Sequence, residues 1–149
     1  MKLELKHLAG YLPYGLKVYR ENKSIESDTF FIVGASKTCV FLQNSGLAVV
    51  DMERIKPILR PLSDLAKEIE VNGEKINFPK MFFPIDEFLM AFGYTSQGES
   101  ESILEYSKIE NLCFDIYFWQ KLYEFHFDIH GLIEKGLAIS IRDVEEAGI

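Results

Sequence analysis

Short segments rich in β-branched and aromatic residues recur through residues 1–60, and they constrain the fold more than any other feature. Thr29 to Val33 and Thr38 to Leu42 are two such runs, and Leu16 to Tyr19 alternates apolar and polar residues. Segments of this length, separated by polar or glycine-containing connections, are typical of β-strands. The first 60 residues therefore predict a compact antiparallel sheet or a small barrel.

Two further segments have strand-like patterns. Ile55 to Leu59 predicts a strand near a sheet edge, because Pro57 has no N–H to donate to a neighbouring strand. Leu137 to Ile141 alternates again, directly after Gly136, which we expect to end a helix in the left-handed conformation. The chain therefore returns to the sheet near its end.

Asn72 and Gly73 are typical of a two-residue type I′ turn between antiparallel strands. A short helix capped by Ser63 competes with this hairpin for Glu68 to Val71, and we favour the hairpin. The turn fixes a register that sets Glu70 opposite Lys75 and Ile69 opposite Ile76.

Helical patterns dominate the rest of the chain. Pro84 is suited to the first position of a helix that Gly93 would end, and the strongest helix is expected near Asp115 to Asp128. On a helical wheel its polar stripe consists of Tyr117, Lys121, Glu124 and Asp128. Its apolar side consists of Ile116, Trp119, Leu122, Tyr123 and His126.

These elements predict one α+β domain over residues 1–149, β-rich in 1–60 and mixed but helix-rich in 61–149. A chain of 149 residues, 48% of them hydrophobic and 13% aromatic, can bury one substantial core. We expect an N-terminal small antiparallel sheet or barrel packed against two or three C-terminal helices.

The sequence indicates a cytoplasmic protein. No apolar run approaches the roughly 18 residues of a membrane span, and MKLELKHLAG at the start lacks the apolar core of a signal peptide. Cys39 and Cys113 lie far apart and outside any CxxC pattern, so we expect two packed free thiols rather than a disulfide or a zinc site.

Charge is distributed unevenly along the chain. Residues 1–60 carry 9 Lys and Arg against 6 Asp and Glu, whereas residues 61–149 carry 7 against 17, so a net +3 precedes a net −10. Nucleic-acid binding requires a basic patch, which only the first part can supply. The candidate residues for such a patch are Lys17, Arg20, Arg54, Lys56 and Arg60.

Signatures of catalysis are few. His126 and His130 stand four apart and could hold a metal ion on one helix face, but Phe127 occupies the place of the glutamate in HExxH, and only His7 remains as a third histidine. Packed histidines are the favoured interpretation. Neither GxSxG nor a phosphate-binding glycine motif occurs, so we predict no catalytic residue, cofactor or metal ion.

Four segments of the chain form a recognisable series: YLPYGLKV (11–18), KPILRPLSDL (56–65), EIEVNGEK (68–75) and FHFDIHGLIEKGLAISI (125–141). Together they resemble a family of small uncharacterised proteins encoded by phages, prophages and mobile elements of Bacteroidetes bacteria. The chain departs from the family pattern at Phe125, where tryptophan is usual, and residues 79–114 match nothing in it. The resemblance implies a phage or prophage protein acting inside a bacterial cell, and it assigns no activity, substrate or cofactor.

Together these observations favour a non-enzymatic accessory protein that acts as a protein-interaction module, with an unidentified partner or a second copy of itself. Nucleic-acid binding by the β-rich part is the alternative. A small metal-dependent enzyme using His126 and His130 is the third hypothesis. The interaction hypothesis predicts a contiguous apolar surface patch, and the nucleic-acid hypothesis predicts that the five cations share one face.

Overall fold

The fold is α+β, as the sequence predicts. The computed structural model describes residues 2–20, 29–43, 46–65, 67–71, 73–78, 81 and 116–147. Its strands are β1 (Lys17–Arg20), β2 (Thr29–Ala35), β3 (Cys39–Gln43), β4 (Leu47–Asp51), β5 (Ile55–Leu59), β6 (Glu68–Val71), β7 (Glu74–Asn77) and β8 (Ile139–Ser140). Its α-helices are α1 (Leu5–Leu8), α2 (Ile116–Glu124) and α3 (Ile141–Ala147), and 3-10 turns occupy Leu12–Tyr14, Met52–Arg54 and Leu62–Asp64.

Six strands form one sheet in the order β4-β3-β2-β1-β5-β8, and β6 and β7 form a separate hairpin. The pairs from β4 to β5 are antiparallel, and only β8 lies parallel to its neighbour. Because β4 and β8 end the order without pairing with each other, the described strands form an open sheet and not a closed barrel.

Alternating residues of the sheet build the core. Val18, Ile32, Leu42 and Val50 are buried on the inner face, against α2 and the segment after it. In α2, Phe118 and Leu122 point into this core, where the ring of Phe118 meets Phe78 edge to face. Helix α2 and the segment after it therefore lie on the inner face, and the alternate residues of β2, β3 and β4 lie on the other face of the sheet.

The hairpin prediction is confirmed in detail. In the β6–β7 hairpin Glu70 pairs with Lys75 and Ile69 with Ile76, and Gly73 has a φ of +82°. Such an angle suits glycine because it lacks a Cβ. The competing helix shrinks to the 3-10 turn at Leu62–Asp64.

Pro57 lies in β5, as predicted, but β5 is not the last strand. Its outer neighbour β8 pairs only with Ile58 and Leu59, so the two-residue strand does not extend to Pro57. Leu137 to Ile141 was expected to form a longer strand. The strand stops at Ser140, whose Oγ accepts the Arg142 N–H at 3.3 Å, and α3 begins at Ile141.

The predicted helix near Asp115 to Asp128 ends sooner, at Glu124. The His126 N–H bonds to the Tyr123 carbonyl and the Phe127 N–H to the Leu122 carbonyl, which is the hydrogen-bond pattern that closes a helix with a left-handed residue. That residue is His126, with a φ of +57°.

Two assignments on the helical wheel were wrong. Ile116, expected on the apolar side, is 75% exposed. Asp128, expected on the polar stripe, is buried beyond the helix, where its carboxylate accepts the N–H groups of Leu132 and Ile133, both at 2.8 Å. Gly136 has the expected left-handed φ, +68°, although turns and not a helix precede it. The helix predicted from Pro84 to Gly93 lies outside the described residues.

Candidate interaction surface

The outer face of the sheet carries a row of side chains that crosses four strands. Lys17 of β1 pairs with Phe31 of β2, Phe31 with Gln43 of β3, and Gln43 with Leu47 of β4. Partners across a ladder point to the same face, and residues two apart on one strand do so too. Lys17, Phe31, Gln43 and Leu47 therefore lie side by side on the face opposite the core.

A second row adjoins the first. Phe41 of β3 pairs with Val49 of β4 on one side and with Gly34 of β2 on the other. The register of β2 shifts between Ile32 and Gly34, which makes Val33 the extra residue of a β-bulge. A Cβ on Gly34 would lie 3.3 Å from Cδ2 of Phe41, so the aromatic ring rests directly over this glycine.

Together these rows form an apolar patch, which we call the outer apolar face: Phe31, Val33, Phe41, Leu47 and Val49. Four of its members are large exposed hydrophobic residues, from 47% exposure at Phe31 to 71% at Leu47. Scattered apolar side chains are normal on a protein surface, whereas contiguous patches mark binding sites. Their adjacency across three paired strands is the unusual property.

Strand β4 also ends the sheet. An edge strand presents unpaired N–H and C=O groups, and proteins protect such edges with lysine, proline or short length. Leu47–Asp51 is five residues long and contains neither lysine nor proline. Among the described residues, no strand pairs with the outer side of β4, and this side lies beside the outer apolar face.

Two of the five candidate cations border this surface. The Nζ of Lys17 lies 5.5 Å from the ring centre of Phe31, a cation–π contact. Lys56 pairs with Tyr19, which lies two residues from Lys17 and so shares its face. The outer apolar face therefore has a positively charged margin on the side of β1 and β5.

The other three cations lie elsewhere. Arg20 pairs with the buried Ile55 and so has the opposite orientation to Lys17. Arg54 lies in the 3-10 turn after β4, where its Nε is 3.8 Å from the Asp51 carboxylate. Arg60 follows β5 and lines a cavity beside the β6–β7 hairpin. The five cations are therefore not brought together on one face.

The three histidines meet on the inner side, around the buried ring of Tyr11. The ring centre of His130 is 5.6 Å from that of His7 and 6.4 Å from that of Tyr11, and His126 is also 6.4 Å from Tyr11. Tyr11 itself donates a 2.7 Å hydrogen bond to the Phe127 carbonyl. Sequence spacing alone could not show that His7 joins this cluster.

Burial lowers the pKa of each of these imidazoles. Burial is the main cause at all three residues. Lys6 lowers the pKa of His7 further, Arg60 that of His126, and His7 that of His130. His126 also forms a 3.0 Å hydrogen bond to the Tyr14 carbonyl. The backbone carbonyl of Tyr14 therefore holds the ring of His126 in place.

Within the described ranges, no group of three or more His, Cys, Asp or Glu side chains is arranged to hold a metal ion. A helix needs about 20 apolar residues to cross a bilayer, and no helix in the described part of the chain meets this requirement. Cys39 is a half-buried free thiol whose Sγ lies 3.0 Å from the Ser36 hydroxyl, and Cys113 lies outside the described residues.

Sequence reasoning did not identify β4, the strand with the most exposed members of the outer apolar face. The signal was present in Leu47 to Val50, four consecutive apolar residues after Gly46.

Comparison with protein families, with curated proteins and with solved structures gave no significant match.

Proposed function

We propose that this chain is a non-enzymatic protein-interaction module that binds its partner through the outer apolar face. The observation that carries the proposal is the contiguity of Phe31, Val33, Phe41, Leu47 and Val49 on the sheet face opposite the core. The resemblance to phage and prophage proteins supports an accessory role in a bacterial cell.

The chemistry of the surface defines the partner. Its centre would take apolar side chains, since covering exposed Leu47 and Val49 removes apolar area from water. Its margin at Lys17 would attract carboxylates. We therefore propose a protein partner whose apolar contact residues are flanked by acidic ones. Part of it could pair as an added strand with β4, which ends the order of the described strands.

Capture of partners from cells that encode the protein tests this proposal. Leu47→Lys places a charge in the centre of the surface, and Ile116→Lys is the matched control, because the two residues are 71% and 75% exposed but lie on β4 and α2, respectively. We expect a specific partner to bind the wild type and Ile116→Lys but not Leu47→Lys. Equal capture by all three proteins would refute the proposal.

Nucleic-acid binding has weaker support, because only Lys17 and Lys56 of the five candidate cations share a sheet face with the exposed ring of Phe31. Single strands bind to surfaces of this kind through phosphate contacts and base stacking. The net charge of −7 and the aliphatic residues Val33, Leu47 and Val49 favour a protein partner instead. Nuclease treatment separates the two, since only a nucleic-acid-mediated complex would be lost.

A further inference from the structure

Arg60 is a half-buried cation that forms no ion pair with any residue in the described ranges. Its Nη2 donates one long hydrogen bond, 3.4 Å to the Glu70 carbonyl, and its Nε is buried with no hydrogen-bond partner. Among the described residues, no carboxylate lies within ion-pair distance of its guanidinium. Buried charges are ordinarily paired, so this arrangement is unusual in a chain with 23 acidic residues.

The backbone fixes Arg60 in place. Its N–H donates to the His126 carbonyl and its carbonyl accepts from the Asp128 N–H, both at 2.8 Å, which forms a parallel bridge to the buried Phe127. The Asp128 side chain in turn holds the following turn at Leu132 and Ile133. The side chain of Arg60 therefore starts from a backbone position that is fixed in the fold.

The cavity that Arg60 lines has a volume of about 520 Å³ and lies between the β6–β7 hairpin and α3. Arg142 and Lys67 also line it, but Asp64 already binds both: Arg142 through two nitrogens, one of them at 3.1 Å, and Lys67 at 3.5 Å. Arg60 is thus the cation of this cavity whose charge no described side chain neutralises.

The acidic residues of the cavity limit what can enter. Glu68 is paired with Lys75 at 3.3 Å, whereas Glu70 and Glu145 line the cavity near Arg60. Glu145 favours the charged form of Arg60, and burial, the larger influence, lowers the pKa of the guanidinium. A polyanion would be repelled by these carboxylates, while one small anion could compensate the single unpaired cation.

We propose that this cavity binds a small molecule through a carboxylate or phosphate group held by the planar fork of Arg60. A guanidinium presents parallel N–H donors that match two oxygens of such a group, which an ammonium cannot do. The half-buried Ile141 in the lining would contact the apolar part of the molecule. The cavity is separate from the outer apolar face, so this site does not depend on the proposed function.

Two measurements test this site: thermal unfolding and calorimetric titration, each with acetate or inorganic phosphate. Chloride at equal ionic strength is the control. We expect an oxyanion to raise the Tm of the wild type, and Arg60→Gln to bind it about tenfold to a hundredfold more weakly, as for loss of hydrogen bonds to a charged group. Tighter binding of acetate would indicate a carboxylate ligand, and tighter binding of phosphate would indicate a phosphate ligand. Arg54→Gln, which makes the same charge change on another surface, should bind like the wild type.

Arg60→Lys keeps the positive charge but removes the planar fork of the guanidinium. It provides a second test of the site in case Arg60→Gln misfolds. Weakened binding by Arg60→Lys, with unchanged circular dichroism, supports bidentate recognition. Equal effects of the oxyanions on the wild type and both Arg60 variants would overturn the proposal, as would the absence of any effect beyond that of chloride.

Discussion

The inner and outer faces of the six-stranded sheet consist of alternating residues of the same strands, yet they differ in what covers them. Val40 and Leu42 of β3 are fully buried in the core, whereas Leu47 and Val49 of the neighbouring β4 are 71% and 62% exposed. Burial of apolar area stabilises the fold, and an exposed apolar side chain contributes little. The difference separates residues that hold the protein together from those available to bind a partner.

The largest effect is expected on the inner face. Leu42→Ala removes a fully buried side chain, and we expect it to lower the free energy of unfolding by about 2 to 5 kcal/mol, because the loss of buried apolar area is joined by a cavity. Urea denaturation followed by circular dichroism measures this change. A loss below about 1 kcal/mol would mean that the inner face is not the well-packed core described here.

The turn after α2 should come next. Asp128→Ala leaves the N–H groups of Leu132 and Ile133 without their acceptor, and hydrogen bonds to a charged group contribute about 1.5 to 3 kcal/mol. We expect a loss of that size in the same denaturation assay. The exposed Asp51 provides the control, since Asp51→Ala should change stability by less than about 0.5 kcal/mol.

The histidines give the inner side a dependence on pH that the outer face lacks. Because burial holds the pKa of His7, His126 and His130 below the ordinary value of 6.5, the unfolded chain takes up protons first as the pH falls. Their contribution to stability is therefore complete above pH 6.5 and decreases as the pH falls towards the folded-state pKa values. Denaturation at pH 7.5 and 5.5 should show lower stability at the acidic pH.

His130→Gln should reduce this pH dependence, because it removes one of the three titrating groups. Leu47→Ala should leave it unchanged. Equal pH dependence in the wild type and His130→Gln would contradict the assignment to the histidine cluster.

The smallest effect is expected on the outer face. Leu47→Ala truncates a side chain that is 71% exposed, and we expect it to change the free energy of unfolding by less than about 0.5 kcal/mol. A loss comparable with that of Leu42→Ala would show that another part of the molecule covers Leu47 in solution. That result would remove the contrast between the two faces.

Local patterns in the sequence were sufficient for much of the fold. The Asn72-Gly73 turn fixes both its hairpin and its register, because two-residue turns leave little freedom. The short helix α3 was missed, since Ile141 continues the alternation of Leu137 to Ser140 and the backbone changes direction there. The end of α2 at Glu124 was missed for a different reason, because the left-handed residue that follows it, His126, is not glycine and leaves no clear mark in the sequence.

The candidate site depended on long-range pairing, which no local pattern reveals. Lys17 and Lys56 lie on the same face because β1 pairs with β5. Arg20, three residues after Lys17 on the same strand, faces the opposite side. The outer apolar face joins residues from three strands. Its contiguity became visible only once the order and register of these strands were known.

Hydrogen exchange on the isolated complex of the protein and its captured partner tests the central claim most directly. The account predicts slower exchange at the amides of β4, Leu47–Asp51, and around the bulge at Val33, with no change in α2. Protection confined to Ile116–Glu124, with β4 exchanging as in the free protein, would contradict it.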